Sequence, residues 1–199
     1  MIAVSPPPDP DTRTPKILVP PGACDTHAHV FGSMPRYPLA EMRRYDPSDC
    51  GIGKYRQMLA ALGVVRGVLV QSSIYGTDNA AMLDAIAEGG ESYRGVVVIR
   101  PDVSDGELQR LHDSGVRGVR AATLPQSHVG PEHMEALAAR IKDMGWVLQV
   151  HLHGIDDMTE LASLFESLPT PVLIDHMGRL RGNDGIDHPG FRVLLELLE

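Results

Sequence analysis

From residue 23 onward, short apolar runs alternate with amphipathic stretches along the chain. The run Val96-Val97-Val98-Ile99 is continuous rather than alternating, which predicts a strand covered on both faces. Comparable runs at 23–30, 65–71, 94–100, 116–122, 146–152 and 171–176 predict six strands. Between them the spacing turns helical, near 54–62, 79–88, 105–114, 131–144, 157–168 and 188–199. The clearest of these is 131–144, where Met134, Leu137, Ala138, Ile141 and Met144 recur on one face. Gly63, Gly89, Gly115 and Gly145 follow helices, and Thr77, Asp78 and Ser104 stand where N-caps are wanted.

Six β-α units in series predict an all-parallel α/β protein, either a barrel or a doubly wound sheet. Arg-Gly-Val opens three of the strands, at Arg66, Arg94 and Arg117, as if the chain entered the sheet repeatedly in the same way. No Gly-x-Gly-x-x-Gly follows a strand, so a dinucleotide-binding reading lacks its fingerprint. The first connection, 31–53, is long and carries Pro35, Pro38 and Pro47, as expected for a structured loop over a barrel mouth. A closed (β/α)8 barrel needs two more units, and the chain stops inside the apolar helical pattern 191–199. The expectation is a TIM-barrel-type domain over 23–199, truncated to about six units, behind a proline-rich, extended or disordered arm at 1–22.

Composition narrows the partners. With 43% hydrophobic and 22% charged residues the chain reads as an ordinary globular domain, and its net charge of −8 argues against nucleic acid or an anionic membrane. A small anionic molecule stays open, because one arginine can dominate a pocket. No apolar run is long enough to span a bilayer, and the N-terminus lacks a basic region followed by an apolar stretch. Cys24 and Cys50 give no disulfide framework and fit a reducing, cytoplasmic compartment.

In parallel α/β folds the chemistry gathers at the C-terminal ends of strands. Strand one leaves His27 and His29, two apart and so expected on one face about 7 Å from each other. Strand two leaves Gln71 and Ser73, strand four Arg120, strand five Gln149, His151 and His153, and strand six His176, in line with Val172 and Ile174. A single buried polar residue is easily a satisfied core group. Five strand ends carrying them are hard to explain by packing, since each such group needs its own partner. Paired imidazoles hold a divalent metal, polarise a carbonyl or relay a proton.

Cys24–Gly32, Arg43-Arg44-Tyr45, 67–79, Gly-Val-Arg-Gly-Val-Arg at 115–120 and Ile174-Asp175-His176-Met177-Gly178 resemble the amidohydrolase-2 branch of the amidohydrolase superfamily, nearest its pyrone-dicarboxylate hydrolases and related lactonases. That resemblance implies a (β/α)8 barrel, hydrolysis of a lactone ester, and a general-base aspartate after an eighth strand. It assigns catalytic roles to His27, His29 and His176 and carboxylate binding to Tyr45, Ser73 and Arg120. Two positions depart from the pattern. Gln126 stands where a second carboxylate-binding arginine is expected, and His151 where a tyrosine is expected. Both are kept as substrate-binding candidates, and a monoanionic, sulfonated or sugar lactone fits at least as well as a dicarboxylate. The pyrone hydrolases are metal-free, whereas metal-dependent relatives use a strand-five histidine. The resemblance therefore implies either no cofactor or one zinc or manganese ion at His27, His29 and His151. A metal-dependent decarboxylase, or a non-catalytic carboxylate-binding remnant, is the alternative, and the 199 residues are expected to be inactive alone.

Overall fold

A computed structural model describes residues 2–125 and 127–198. The chain gathers into two compact units, Met1–Val97 with Gly106–Val116, and Val98–Asp105 with Arg117–Glu199.

The first unit contains β1 (Cys24–Ala28), α1 (Ile52–Leu62), β2 (Arg66–Val70), α2 (Ala80–Gly89), β3 (Tyr93–Val97) and most of α3 (Asp105–Asp113). Its strands are parallel, β2 lying between β1 and β3, with Gly67 opposite Tyr93 and Val70 opposite Val96. Leu69, Val97, Met82 and Ile86 are buried where strands and helices face each other. The continuous apolar strand is explained by helix cover on one side and interior on the other. The long connection 31–53 is ordered: Phe31 bridges Cys50, and Phe31, Tyr37, Leu39 and Tyr45 lie over Ile74, Tyr75 and Ala81. Part of the N-terminal arm is ordered as well, because Ala3–Val4 pairs in parallel with Tyr45–Asp46.

The second unit contains most of β4 (Val116–Ala122), α4 (Met134–Ile141), β5 (Val147–His151), α5 (Asp156–Ser167), β6 (Val172–Ile174) and α6 (Pro189–Glu196). Its strands are also parallel, with Arg120 opposite Gln149, Ala122 opposite His151, and Gln149 opposite Leu173. One face, with Val119, Ala121, Leu148 and Val150, is buried, and α4 contributes Met134, Leu137, Ala138 and Ile141 as its spacing predicts. Trp146 is wholly buried at the entry to β5. Gly145 ends the turn after α4 in the left-handed conformation, whereas Gly89 lies inside α2 and Gly90 ends that helix.

Six β-α units thus succeed one another, as the hydrophobic pattern predicts. The strands are shorter than predicted at their C-terminal ends: β1 stops at Ala28, β2 at Val70, β3 at Val97 and β6 at Ile174. Among the described residues no helix is long and apolar enough to cross a membrane.

Candidate active site

In the first unit the two histidines do not simply alternate off one strand. The β1–β2 ladder pairs Asp25 with Gly67 and Ala28 with Leu69, so β1 carries one extra residue, a bulge. Asp25 closes it: its carboxylate accepts the His27 backbone N–H at 3.2 Å and the Tyr55 hydroxyl of α1 at 3.0 Å. Burial first, and then the bond to Asp25, raise the Tyr55 phenol well above its ordinary pKa, so it stays a donor. His29 lies beyond the strand. Its Nδ1 sits 2.7 Å from the Val70 carbonyl, which only accepts, so Nδ1 carries a proton and donates it there. The two rings meet edge to face, 5.2 Å between centroids. The predicted pair therefore comes together, but through a bulge rather than strand parity.

Tyr45 packs edge-on to Phe31 and shares a hydrogen bond of 3.2 Å with the Ser72 hydroxyl. Ser73 is exposed and opens a one-turn helix, Ser73–Tyr75. Gln71 is buried off the end of β2, its amide donating to the Asp78 and Gly76 carbonyls and thereby pinning the following loop. The expectation that Gln71 and Ser73 share a strand face fails because the strand has already ended.

In the second unit Arg120 and Asp175 form a buried ion pair, 6% and 5% exposed. One Arg120 nitrogen donates to Asp175 Oδ2 at 2.8 Å and to His151 Nδ1 at 2.9 Å, and the Gln149 amide donates to Asp175 Oδ1. Register explains the convergence. Arg120, Gln149 and Leu173 are lateral neighbours on three strands, so the face they share continues to Asp175, two residues past Leu173. His176 was expected in line with Val172 and Ile174 on that face; the face belongs to Leu173 and Asp175 instead. His176 reaches the cluster by another route. His176, Met177, Gly178 and Arg179 all have positive φ (54°, 52°, 65° and 59°), a left-handed turn that brings the His176 ring to 5.2 Å from that of His151. Such a turn is costly for side-chain-bearing residues and is typical of functional sites. A Cβ on Gly178 would lie 2.8 Å from the Ile155 side chain, so glycine is required there twice over. Asp175, missed as a site residue, was visible only as a charge ending an apolar run. The His153 backbone N–H is tied to Thr123 and Asp157 instead. Gln126 lies outside the described residues.

His151 is more than half buried, and its pKa is lowered to about 4, first by desolvation and then by the Arg120 charge. Arg120 donates to one ring nitrogen and Arg179 stands 3.5 Å from the other. Guanidinium groups beside both ring nitrogens disfavour a cation there, and the surroundings of His151 suit an anionic group better than a metal. His29, with Nδ1 tied to a carbonyl, has the arrangement usual for a ligand or an acceptor.

The chain is 37% identical over 186 residues to the 2-pyrone-4,6-dicarboxylate hydrolase of Comamonas testosteroni, covering 92% of this chain and 61% of that protein. It is 36% identical over 187 residues to the 4-sulfomuconolactone hydrolase of Hydrogenophaga intermedia, with the same coverages of 92% and 61%. A crystal structure from Pseudomonas putida, assigned as a 2-pyrone-4,6-dicarboxylic acid hydrolase, superposes with a TM-score of 0.76 at 35% identity over 90% of this chain and 66% of that one. The chain thus spans about three-fifths of the length of these curated relatives, and its six units have the α/β architecture of the (β/α)8 barrel type. The profile described as Amidohydrolase, Amidohydro_2, matches residues 24–199, and the chain belongs to that amidohydrolase family.

Proposed function

We propose that this chain carries the carbonyl- and anion-recognising residues of a hydrolase that opens a small anionic lactone by water attack on the ring ester. The observation that carries the reading is the buried Arg120, held between Asp175 and His151 at the C-terminal ends of β4–β6. A guanidinium kept in a fixed orientation at a strand end is suited to a carboxylate or sulfonate. The named activities of the two relatives, on a pyrone dicarboxylate and a sulfolactone, support the same class.

In this reading His27, His29 and His176 polarise the ester carbonyl and steady the developing oxyanion. Arg120, Tyr45, Ser73, Gln126 and His151 orient the anionic group, Ser72 taking part through its bond to Tyr45. Water is deprotonated by the aspartate that the family resemblance assigns to an eighth strand. If zinc or manganese binds, His27 and His29 are the nitrogens suited to it, and the ion would act as a Lewis acid on the same carbonyl. The proposal needs no step through it. The setting fits catabolism of aromatic or sugar acids, and the free Cys24 and Cys50 fit a cytoplasmic location.

The test is ring opening followed by absorbance in the active enzyme carrying these residues. Carboxylated or sulfonated lactones are opened and an uncharged lactone is not. His176→Asn, whose new residue tolerates the left-handed backbone, lowers turnover about 100- to 1000-fold with the circular dichroism unchanged. Release of carbon dioxide in place of ring opening, together with stoichiometric zinc, contradicts the proposal and identifies a metal-dependent decarboxylase.

A further inference from the structure

Resting on that reading, we infer that Tyr55 and Asp25 are positioning residues, a strut from α1 that sets where His27 stands at the reacting carbonyl. The ladder between β1 and β2 leaves Thr26 and His27 opposite Val68 alone, since Asp25 pairs with Gly67 and Ala28 with Leu69. A bulge of this kind breaks the ladder locally and re-aims a side chain. Asp25 Oδ1 accepts the His27 N–H at 3.2 Å, so the carboxylate holds this stretch of backbone. Its other oxygen, Oδ2, accepts the Tyr55 hydroxyl at 3.0 Å. Tyr55 is 5% exposed and its ring lies against that of Tyr93, 5.9 Å between centroids, so the far end of the strut is fixed by burial. Gly67 shows what the strut requires. A Cβ there would lie 2.4 Å from the Tyr55 hydroxyl oxygen and 3.2 Å from two of its ring carbons, so the phenol reaches Asp25 only across a residue without a side chain. Glycine inside a strand is destabilising, and a close approach is a common reason for one. In the Arg-Gly-Val segment of β3, Gly95 makes room only for the apolar Ile86, Met82 and Val116 side chains; in that of β2, Gly67 admits a hydroxyl. Packing alone asks for phenylalanine at position 55, because a buried hydroxyl needs a partner. His27 steadies charge that develops at the carbonyl, while other residues bind the anionic group. Loosening the strut therefore lowers turnover and leaves substrate affinity in place.

The experiment has two arms. In the active enzyme carrying these residues, opening of 2-pyrone-4,6-dicarboxylate or 4-sulfomuconolactone is followed for Tyr55→Phe, Asp25→Ala and Asp25→Asn, with rates taken per folded molecule. Tyr55→Phe lowers kcat about tenfold and Asp25→Ala about a hundredfold, with KM within about twofold of the parent. Asp25→Asn restores most of the loss, because its carbonyl oxygen still accepts the His27 N–H and its amide can donate to the Tyr55 oxygen. In the 199-residue chain labelled with nitrogen-15 at histidine, Tyr55→Phe and Asp25→Ala move the His27 ring and amide resonances and leave those of His112, His128, His133 and His188 in place. If Asp25→Ala fails to fold, Tyr55→Phe, which removes one oxygen from a buried ring, carries both arms. Parent kcat in Tyr55→Phe, a loss confined to KM, a kcat in Asp25→Asn as low as in Asp25→Ala, or unmoved His27 resonances each overturns the inference. An enzyme that opens neither lactone while the variants still move the His27 resonances would instead overturn the proposed function and leave the strut standing.

Discussion

Removing the Arg120 side chain deprives the buried Asp175 carboxylate of its guanidinium, and the residue scale is governed by that pair. The sequence places Arg120 as a charge inside a strand and leads one to expect that Arg120→Ala harms binding more than folding. The burial of both partners adds a folding cost. Arg120→Ala is expected to lose about 3–5 kcal/mol, while Arg120→Leu combined with Asp175→Leu costs less than either single change, as urea denaturation will measure. His151 supplies a pH signature of opposite origin. Its folded pKa of about 4 lies below the ordinary 6.5, so the unfolded chain takes up a proton first as the pH falls. Stability should therefore decline through the window from about 6.5 to 4, and His151→Gln, which still offers Arg120 an acceptor, should flatten that decline in thermal melts. Arg120 was legible because a charge stands near the C-terminal end of an apolar strand, past the Arg117 that opens it. Asp175 was not, because the face a residue takes depends on register with the neighbouring strand, and a one-residue shift exchanges the faces.

At the scale of elements, the helices were readable wherever one face is buried. Of the predicted stripe, Met134, Leu137, Ala138 and Ile141 form the buried face of α4, whereas Met144 falls past the helix end and is only half-buried. The strand ends were not readable, since the residues that leave the ladder are themselves as apolar as those within it, such as Val98 and Ile99 after β3. The bulge in β1 and the left-handed turn after β6 escape a period-based reading because each breaks the period locally. The turn has one sequence signal, Gly178, and that gives an expected outcome. Gly178→Ala combines a positive φ with a contact of 2.8 Å to Ile155 and should cost about 1–3 kcal/mol, whereas His176→Asn should be nearly neutral in a thermal melt. At the other histidine pair, Tyr55→Phe removes the hydroxyl that steadies Asp25 and should cost about 0.5–1.5 kcal/mol in urea denaturation.

For the molecule as a whole, the serial β-α pattern and the polar strand ends carried most of the architecture and most of the candidate residues. Their contacts had to come from the fold: Tyr45 meets Ser72, His29 meets a carbonyl, and Arg120 meets Asp175. The central claim is that these strand ends recognise a small anionic lactone. Binding tests it most directly, because recognition is the claim itself. The nitrogen-15 histidine spectrum of the chain should be recorded while 2-pyrone-4,6-dicarboxylate or 4-sulfomuconolactone is added. The account predicts saturable shifts at His27, His29, His151 and His176, with His112, His128, His133 and His188 unmoved. Saturation without any shift at the strand-end histidines, or no saturable binding of either lactone, would contradict it.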